Sequence, residues 1–193
     1  LMDTDALSSL PDRVFKGGLA EVIKYGCILD EELFYMLASC KTRAELESRM
    51  EEITARCCRM KARLVQEDER DNGRRMLLNF GHTLGHGLEA AQGYEDLSHG
   101  EAVAVGMAYA ARLGEEKGLT EPGTAAALMG LLAQHGLPIS AGEADRKAAL
   151  GIMKSDKKHS GKRLTAVILR KIGRGELYNT DDSFFQEVAE WAK

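Results

Sequence analysis

The stretch from His99 to Lys117 constrains what this chain can fold into more than any other. Ala102, Val103, Ala104, Val105, Met107 and Ala108 leave almost no polar stripe, so a helix here is apolar nearly all round and belongs in the interior. A helix buried on every side needs a shell of other elements around it. Gly100, Gly106, Ala108 and Ala110 are small enough to let neighbouring helices approach closely.

The shell also reads as helical. From Gly17 to Cys40 apolar residues recur at helical spacing, first Leu19, Val22 and Ile23, then Leu29, Leu33, Phe34 and Leu37. Gly26 marks a break or a tight packing point, and Asp30 can start a second short helix. Thr42-Arg43-Ala44-Glu45 has the form of a capping box and predicts a helix running to Glu67, with Leu46, Met50, Ile53, Cys57, Met60 and Leu64 on one face. A charged run to Arg75 holds the turn signal Asn72-Gly73. The next helix is predicted from near Arg75 to Gln92-Gly93. Pro122 opens another that ends near His135-Gly136, and Glu143 to Lys154 forms one more. The clear β signal is Leu164 to Leu169, with Glu176-Leu177-Tyr178 as its partner. Asp181 or Asp182 can cap a last helix through Trp191. The expected fold is mainly α: a multihelical bundle with a small β element near residues 164–178, in one domain covering residues 1–193.

Composition narrows the function. A net charge of −4 and a pI near 5.8 argue against a nucleic-acid partner or an acidic lipid surface. No apolar run approaches the roughly 18–20 residues that a membrane span needs. The opening, Leu1-Met2-Asp3-Thr4-Asp5, lacks the basic-then-apolar order of a secretory signal and reads as a sequence entered partway. Cys27, Cys40, Cys57 and Cys58 show neither metal-site spacing nor the density of a disulfide scaffold, which points to reduced thiols in the cytoplasm.

Two windows carry candidate chemistry. In Leu77-Leu78-Asn79-Phe80-Gly81-His82-Thr83-Leu84-Gly85-His86, the two histidines are four apart, so a helix projects both imidazoles from one face. Such a pair can grip a divalent metal, although paired surface histidines also arise without one. Gly81 and Gly85 each cost a helix roughly 1 kcal/mol against Ala, so the sequence needs the space there, for a ligand or another backbone. Asn79 sits one turn before His82, and His99 heads the apolar helix within Ser98-His99-Gly100-Glu101. His99 also reads simply as a first-turn solvent residue beside a Ser98 cap. In the second window, Gly17 to Leu29, Glu21 and Lys24 are the only charges. A surface ion pair accounts for them, as does a metal ligand beside an anion contact. Lys61, Arg75 and the Lys154–Arg163 basic cluster are further cations, which as charges alone form a solvated face.

Taken in order, Gly-Leu-Ala-Glu-Val-Ile-Lys-Tyr-Gly at 18–26, Lys61, Arg75, Leu-Leu-Asn-Phe-Gly-His-Thr-Leu-Gly-His at 77–86, His-Gly-Glu-Ala-Val at 99–103 and Asp-Lys-Lys at 156–158 resemble the 3-dehydroquinate synthase family. The resemblance covers almost the whole chain and is to the family's C-terminal, mostly helical metal- and substrate-binding domain. It implies conversion of 3-deoxy-D-arabino-heptulosonate 7-phosphate to 3-dehydroquinate with release of phosphate, in the shikimate pathway, using NAD and a divalent metal, Zn2+ or Co2+. It implies Glu21, His82 and His99 as metal ligands, so His86 becomes a substrate-contacting, proton-handling residue. Lys24, Lys61, Arg75, Asn79, His86 and Lys157 are implied as substrate contacts, with His86, Lys24 and Asn79 catalytic and Lys157 taken over Lys158. The family's NAD-binding α/β domain is absent from this chain, which carries no Gly-x-Gly-x-x-Gly loop after a strand, so no residue here is assigned to NAD. The implied partners are a sugar-phosphate substrate, that N-terminal domain and a second copy in a homodimer; the piece alone is expected to be inactive. Another cyclase of the superfamily, a metal-dependent alcohol or glycerol dehydrogenase, and a non-catalytic helical interaction domain are the alternatives.

Overall fold

The computed structural model describes residues 3–93, 96–160 and 164–191, apart from the side chains of 156–160 and of Asp182. Its centre is the helix expected there, α6 (His99–Glu116), in which every residue from Ala102 to Ala111 is buried. Two hydrophobic clusters meet across it. Val103, Ala104, Met107, Ala108 and Ala111 face one cluster, while Val105, Tyr109 and Leu113 face the other.

Around it stand α1 (Asp12–Ile28), α2 (Glu31–Ser39), α3 (Arg43–Glu47), α4 (Met50–Glu67), α5 (His82–Ala91), α7 (Thr124–Gln134) and α8 (Glu143–Ser160). Strands β1 (Leu164–Lys171) and β2 (Arg174–Thr180) pair antiparallel, with Val167 opposite Leu177. β1 repeats the role of α6 at period two: Leu164, Ala166 and Ile168 enter one cluster, Val167 and Leu169 the other. The fold is mainly α with a small two-stranded sheet, as the patterning predicts.

Several boundaries differ from expectation: α7 starts at Thr124 and not at Pro122, and α8 runs past Lys154 to Ser160. Gly26 takes the second of its two expected roles. Gly26 does not break α1; a Cβ there would lie 3.0 Å from the backbone nitrogen of Phe34, so the residue is a close-packing point against α2. Asp30 does start that helix, its side chain accepting from the Leu33 N–H at 3.0 Å. The Thr42–Glu45 capping box forms, but its helix stops after one turn. Ser48 Oγ donates to Glu45 O at 2.7 Å, and the Arg49 N–H turns back to Leu46 O, so the ladder is interrupted before α4 begins. The segment expected to be helical from Arg75 to Gln92 is a 3-10 turn over Arg74–Asn79, then a break at Gly81, then α5. The last helix, over Asp182–Ala189 with Asp181 as its cap, is also 3-10.

Candidate metal centre

Three elements deliver one residue each to a common point. Glu21 lies in α1, His82 opens α5, and His99 opens α6. Glycines set how closely these helices approach. A Cβ on Gly100 would fall 2.3 Å from the carbonyl oxygen of Gly17, and one on Gly106 would fall 2.0 Å from that of Gly81. Gly81 itself has φ +79°, a conformation that glycine alone adopts freely, and Met107 and the Val103 carbonyl fill the place of its absent side chain. The space that Gly81 and Gly85 keep open is therefore taken by the backbone of α6.

Glu21 Oε1 lies 3.5 Å from His82 Nε2 and 3.6 Å from His99 Nε2. The three donor atoms all fall within 4.8 Å of one another. Donors about 2.1 Å from a tetrahedral metal stand about 3.4 Å apart, so both contacts have the length of a coordination edge. The protonation pattern fits as well. His82 Nδ1 lies 3.2 Å from the Phe80 carbonyl, which can only accept, so Nδ1 carries the proton and Nε2 presents a lone pair. Glu21 Oε2 accepts from Lys24 Nζ at 2.6 Å, whereas Oε1 is buried and has no hydrogen-bond partner. A buried acceptor facing the nitrogens of two imidazoles costs free energy unless a cation or a proton lies between them. The donor set and its orphaned oxygen fit a divalent metal.

Lys24 is 3% exposed, and burial lowers its pKa against the opposing pull of Glu21, with the charge of Lys61 lowering it further. His82 is likewise pushed below the usual imidazole value, first by burial and then by Lys24. His86 is exposed at the rim, its ring 5.4 Å from that of His82 and 5.9 Å from that of His99.

The other expected site residues lie less close. Lys61 is exposed on α4 and reaches the cluster through its charge on Lys24. The Arg75 guanidinium donates to Glu69 O at 3.1 Å, and its backbone N–H donates to Asp68, which also binds the Asn72 and Gly73 N–H groups. Asn79, beyond the Gly81 break and not on α5, lines a small cavity with Thr83, Leu84, Gly106 and Phe185. The side chains of Lys157 and Lys158 lie outside the described residues. One neighbour escapes motif reading altogether. Glu89, buried in α5, stands with both oxygens 3.3 Å from His99 Nδ1. Its spacing of seven from His82 and three from His86 puts it on their face of the helix, a signal present in the sequence.

The fold, a buried helix inside a helical shell, is shared with solved synthase structures. The chain superposes on a 2-epi-5-epi-valiolone synthase from Streptomyces hygroscopicus subsp. jinggangensis 5008, solved with NAD+ and Zn2+, with a TM-score of 0.81 at 23% identity, covering 96% of this chain and 53% of that one. A 2-deoxy-scyllo-inosose synthase complexed with carbaglucose-6-phosphate, NAD+ and Co2+ matches with a TM-score of 0.78 at 24% identity, covering 97% and 55%.

Sequence comparison is more specific. Residues 18–159 match the family model described as 3-dehydroquinate synthase C-terminal, and the chain belongs to that family. It is 45% identical over 186 residues to the 3-dehydroquinate synthase of Clostridium perfringens (strain SM101 / Type A), covering 96% of this chain and 53% of the relative. The enzyme of Enterococcus faecalis (strain ATCC 700802 / V583) is 36% identical, with 92% and 49% covered. The chain thus spans about half the length of these relatives.

Proposed function

We propose that this chain is the metal- and substrate-binding half of a cytoplasmic 3-dehydroquinate synthase, a lyase of the shikimate pathway. Its substrate is 3-deoxy-D-arabino-heptulosonate 7-phosphate, and its products are 3-dehydroquinate and inorganic phosphate. The observation that carries this reading is the unpartnered Glu21 Oε1 facing the Nε2 atoms of His82 and His99. Family membership and the identity to named 3-dehydroquinate synthases support this reaction.

Glu21, His82 and His99 hold Zn2+, or Co2+ in its place. Three protein donors leave coordination positions open, and the bound ion supplies positive charge that acidifies a substrate hydroxyl. The remaining residues bind and orient. The substrate carries a phosphate and a carboxylate, and the cations Lys24, Lys61, Arg75 and Lys157 offset those charges. Asn79 orients a substrate oxygen through its amide. His86, an exposed imidazole beside the ligand histidines, takes and returns a proton. NAD binds mainly to a nucleotide-binding domain that precedes this unit in a full-length homodimer, so residues 1–193 act as one domain of a larger enzyme.

The test is phosphate release. The purified chain with NAD, zinc and the heptulosonate phosphate gives no sustained turnover. Fused behind the preceding half of the Clostridium perfringens relative, it gives turnover that Glu21→Ala abolishes. Sustained release by the chain alone refutes the division of labour, and an active Glu21→Ala fusion refutes the metal site.

A further inference from the structure

The His99 ring stands between two carboxylates. On its Nε2 side is Glu21 Oε1 at 3.6 Å, and on its Nδ1 side are both oxygens of Glu89 at 3.3 Å. Glu89 is 8% exposed, while the His99 side chain is 49% exposed. The solvent-facing ring is therefore the one that needs an anchor, and the buried carboxylate is placed to be it. The other ligand histidine has its own anchor in the Phe80 carbonyl. The aromatic rings beside His99 are those of His82 and His86, at 5.3 and 5.9 Å.

We infer that Glu89 is the positioning residue of the metal centre: it accepts the Nδ1–H of His99 and so holds the ring with its Nε2 lone pair toward Glu21 and His82. The inference rests on the proposed metal site and extends it to a residue that touches neither metal nor substrate. An anionic acceptor on the distal nitrogen fixes the tautomer, limits ring rotation and makes the ligating nitrogen a better donor. Glu89 lies on α5 and His99 on α6, so the contact also ties the two helices together beside the ligands. His86, Glu89 and His99 form a second trio of donor atoms within 4.8 Å. The competing role for Glu89 is therefore direct ligation of a second ion.

The experiment measures zinc binding to the purified chain by competition with a chromophoric chelator, with parent, Glu89→Gln, Glu89→Leu and His82→Ala side by side. Glu89→Leu is expected to weaken zinc about 10–100-fold, and Glu89→Gln, which keeps an acceptor without the charge, by less. The Co2+-loaded parent and Glu89→Gln are expected to share one visible absorption pattern, because the ligands are unchanged. A residue serving stability alone would instead lower the melting temperature of the metal-free chain and leave zinc affinity intact. In the zinc-loaded parent, long-range 15N–1H correlation is expected to show His99 protonated at Nδ1, a measurement that needs no variant. Parent-like affinity in both Glu89 variants, or a His99 protonated at Nε2, overturns the inference. So does a stoichiometry of two ions whose second equivalent vanishes in His86→Ala. If His82→Ala binds zinc as tightly as the parent, or the parent binds none, the metal site itself fails. If His82→Ala loses zinc while the Glu89 variants keep it, only the positioning role fails.

Discussion

Replacing Gly106 with Ala tests how the glycine contacts hold the site together. The new Cβ would stand 2.0 Å from the Gly81 carbonyl oxygen, 2.9 Å from the Gly81 carbonyl carbon and 3.1 Å from the Gly85 nitrogen. A carbon rests against a carbonyl oxygen at about 3.3 Å, so α5 must retreat from α6 by roughly 1 Å. These atoms are backbone and have no rotamer to escape into. Overpacking of this kind costs about 1–3 kcal/mol, and Ala offsets about 1 kcal/mol of that by its better helix propensity. The net expectation is a loss of up to about 2 kcal/mol in urea unfolding. The larger effect falls on the site, because His82 follows Gly81 directly and metal–ligand distances tolerate only about 0.2 Å. Zinc affinity, read by chelator competition, is expected to drop at least tenfold. Gly130→Ala is the control: it lies in α7 with nothing within 4 Å of the added carbon, and should raise stability by about 0.5–1 kcal/mol without touching zinc. A Gly106→Ala chain with parent stability and parent zinc affinity would refute the reasoning.

Acid sensitivity should trace in part to His135. It is 8% exposed, its Nε2 lies 3.2 Å from Leu37 O, and burial lowers its pKa from the ordinary imidazole value. The unfolded chain then binds the extra proton first, so stability falls as pH drops below about 6.5 toward the lowered folded value. In His135→Gln the slope of unfolding free energy over that window should flatten, and an unchanged slope would exclude the mechanism. Thiol labelling should rank the cysteines by burial. Exposed Cys58 reacts first, half-buried Cys57, raised to about 12 mainly by burial, reacts slowly, and fully buried Cys27, raised further by burial, reacts only on unfolding. Equal rates at Cys27 and Cys58 in native buffer would contradict the core packing.

What the sequence exposed and what it concealed divide along a physical line. Ala102 to Ala111 could be recognised as interior because an apolar surface on every side has one stable placement. The antiparallel pair and the Thr42 cap were equally local. The interruption at Ser48 was not: there the Ser48 hydroxyl, and not the Arg49 N–H, meets the Glu45 carbonyl, within a continuous apolar face. Gly81 reads as a residue that makes room, but the occupant, the backbone of α6, depends on a contact between segments far apart in the chain. The role of Glu89 is hidden from the sequence for the same reason. Its phase on α5 is visible at residue level, whereas its burial and its pairing with His99 exist only once α5 and α6 have packed.

Glu21 and His82 are separated by 82 − 21 = 61 positions, with α2, α3 and α4 in between. An ion gripped by both would act as a reversible cross-link, closing a long loop of chain that must otherwise be closed by packing alone. The loop-closure relation used for disulfides gives a cross-link of that span roughly 4 kcal/mol at room temperature. Metal supply would then govern how long the chain survives as well as what it does, and a chelator would act on it as a reductant acts on a disulfide-stapled domain.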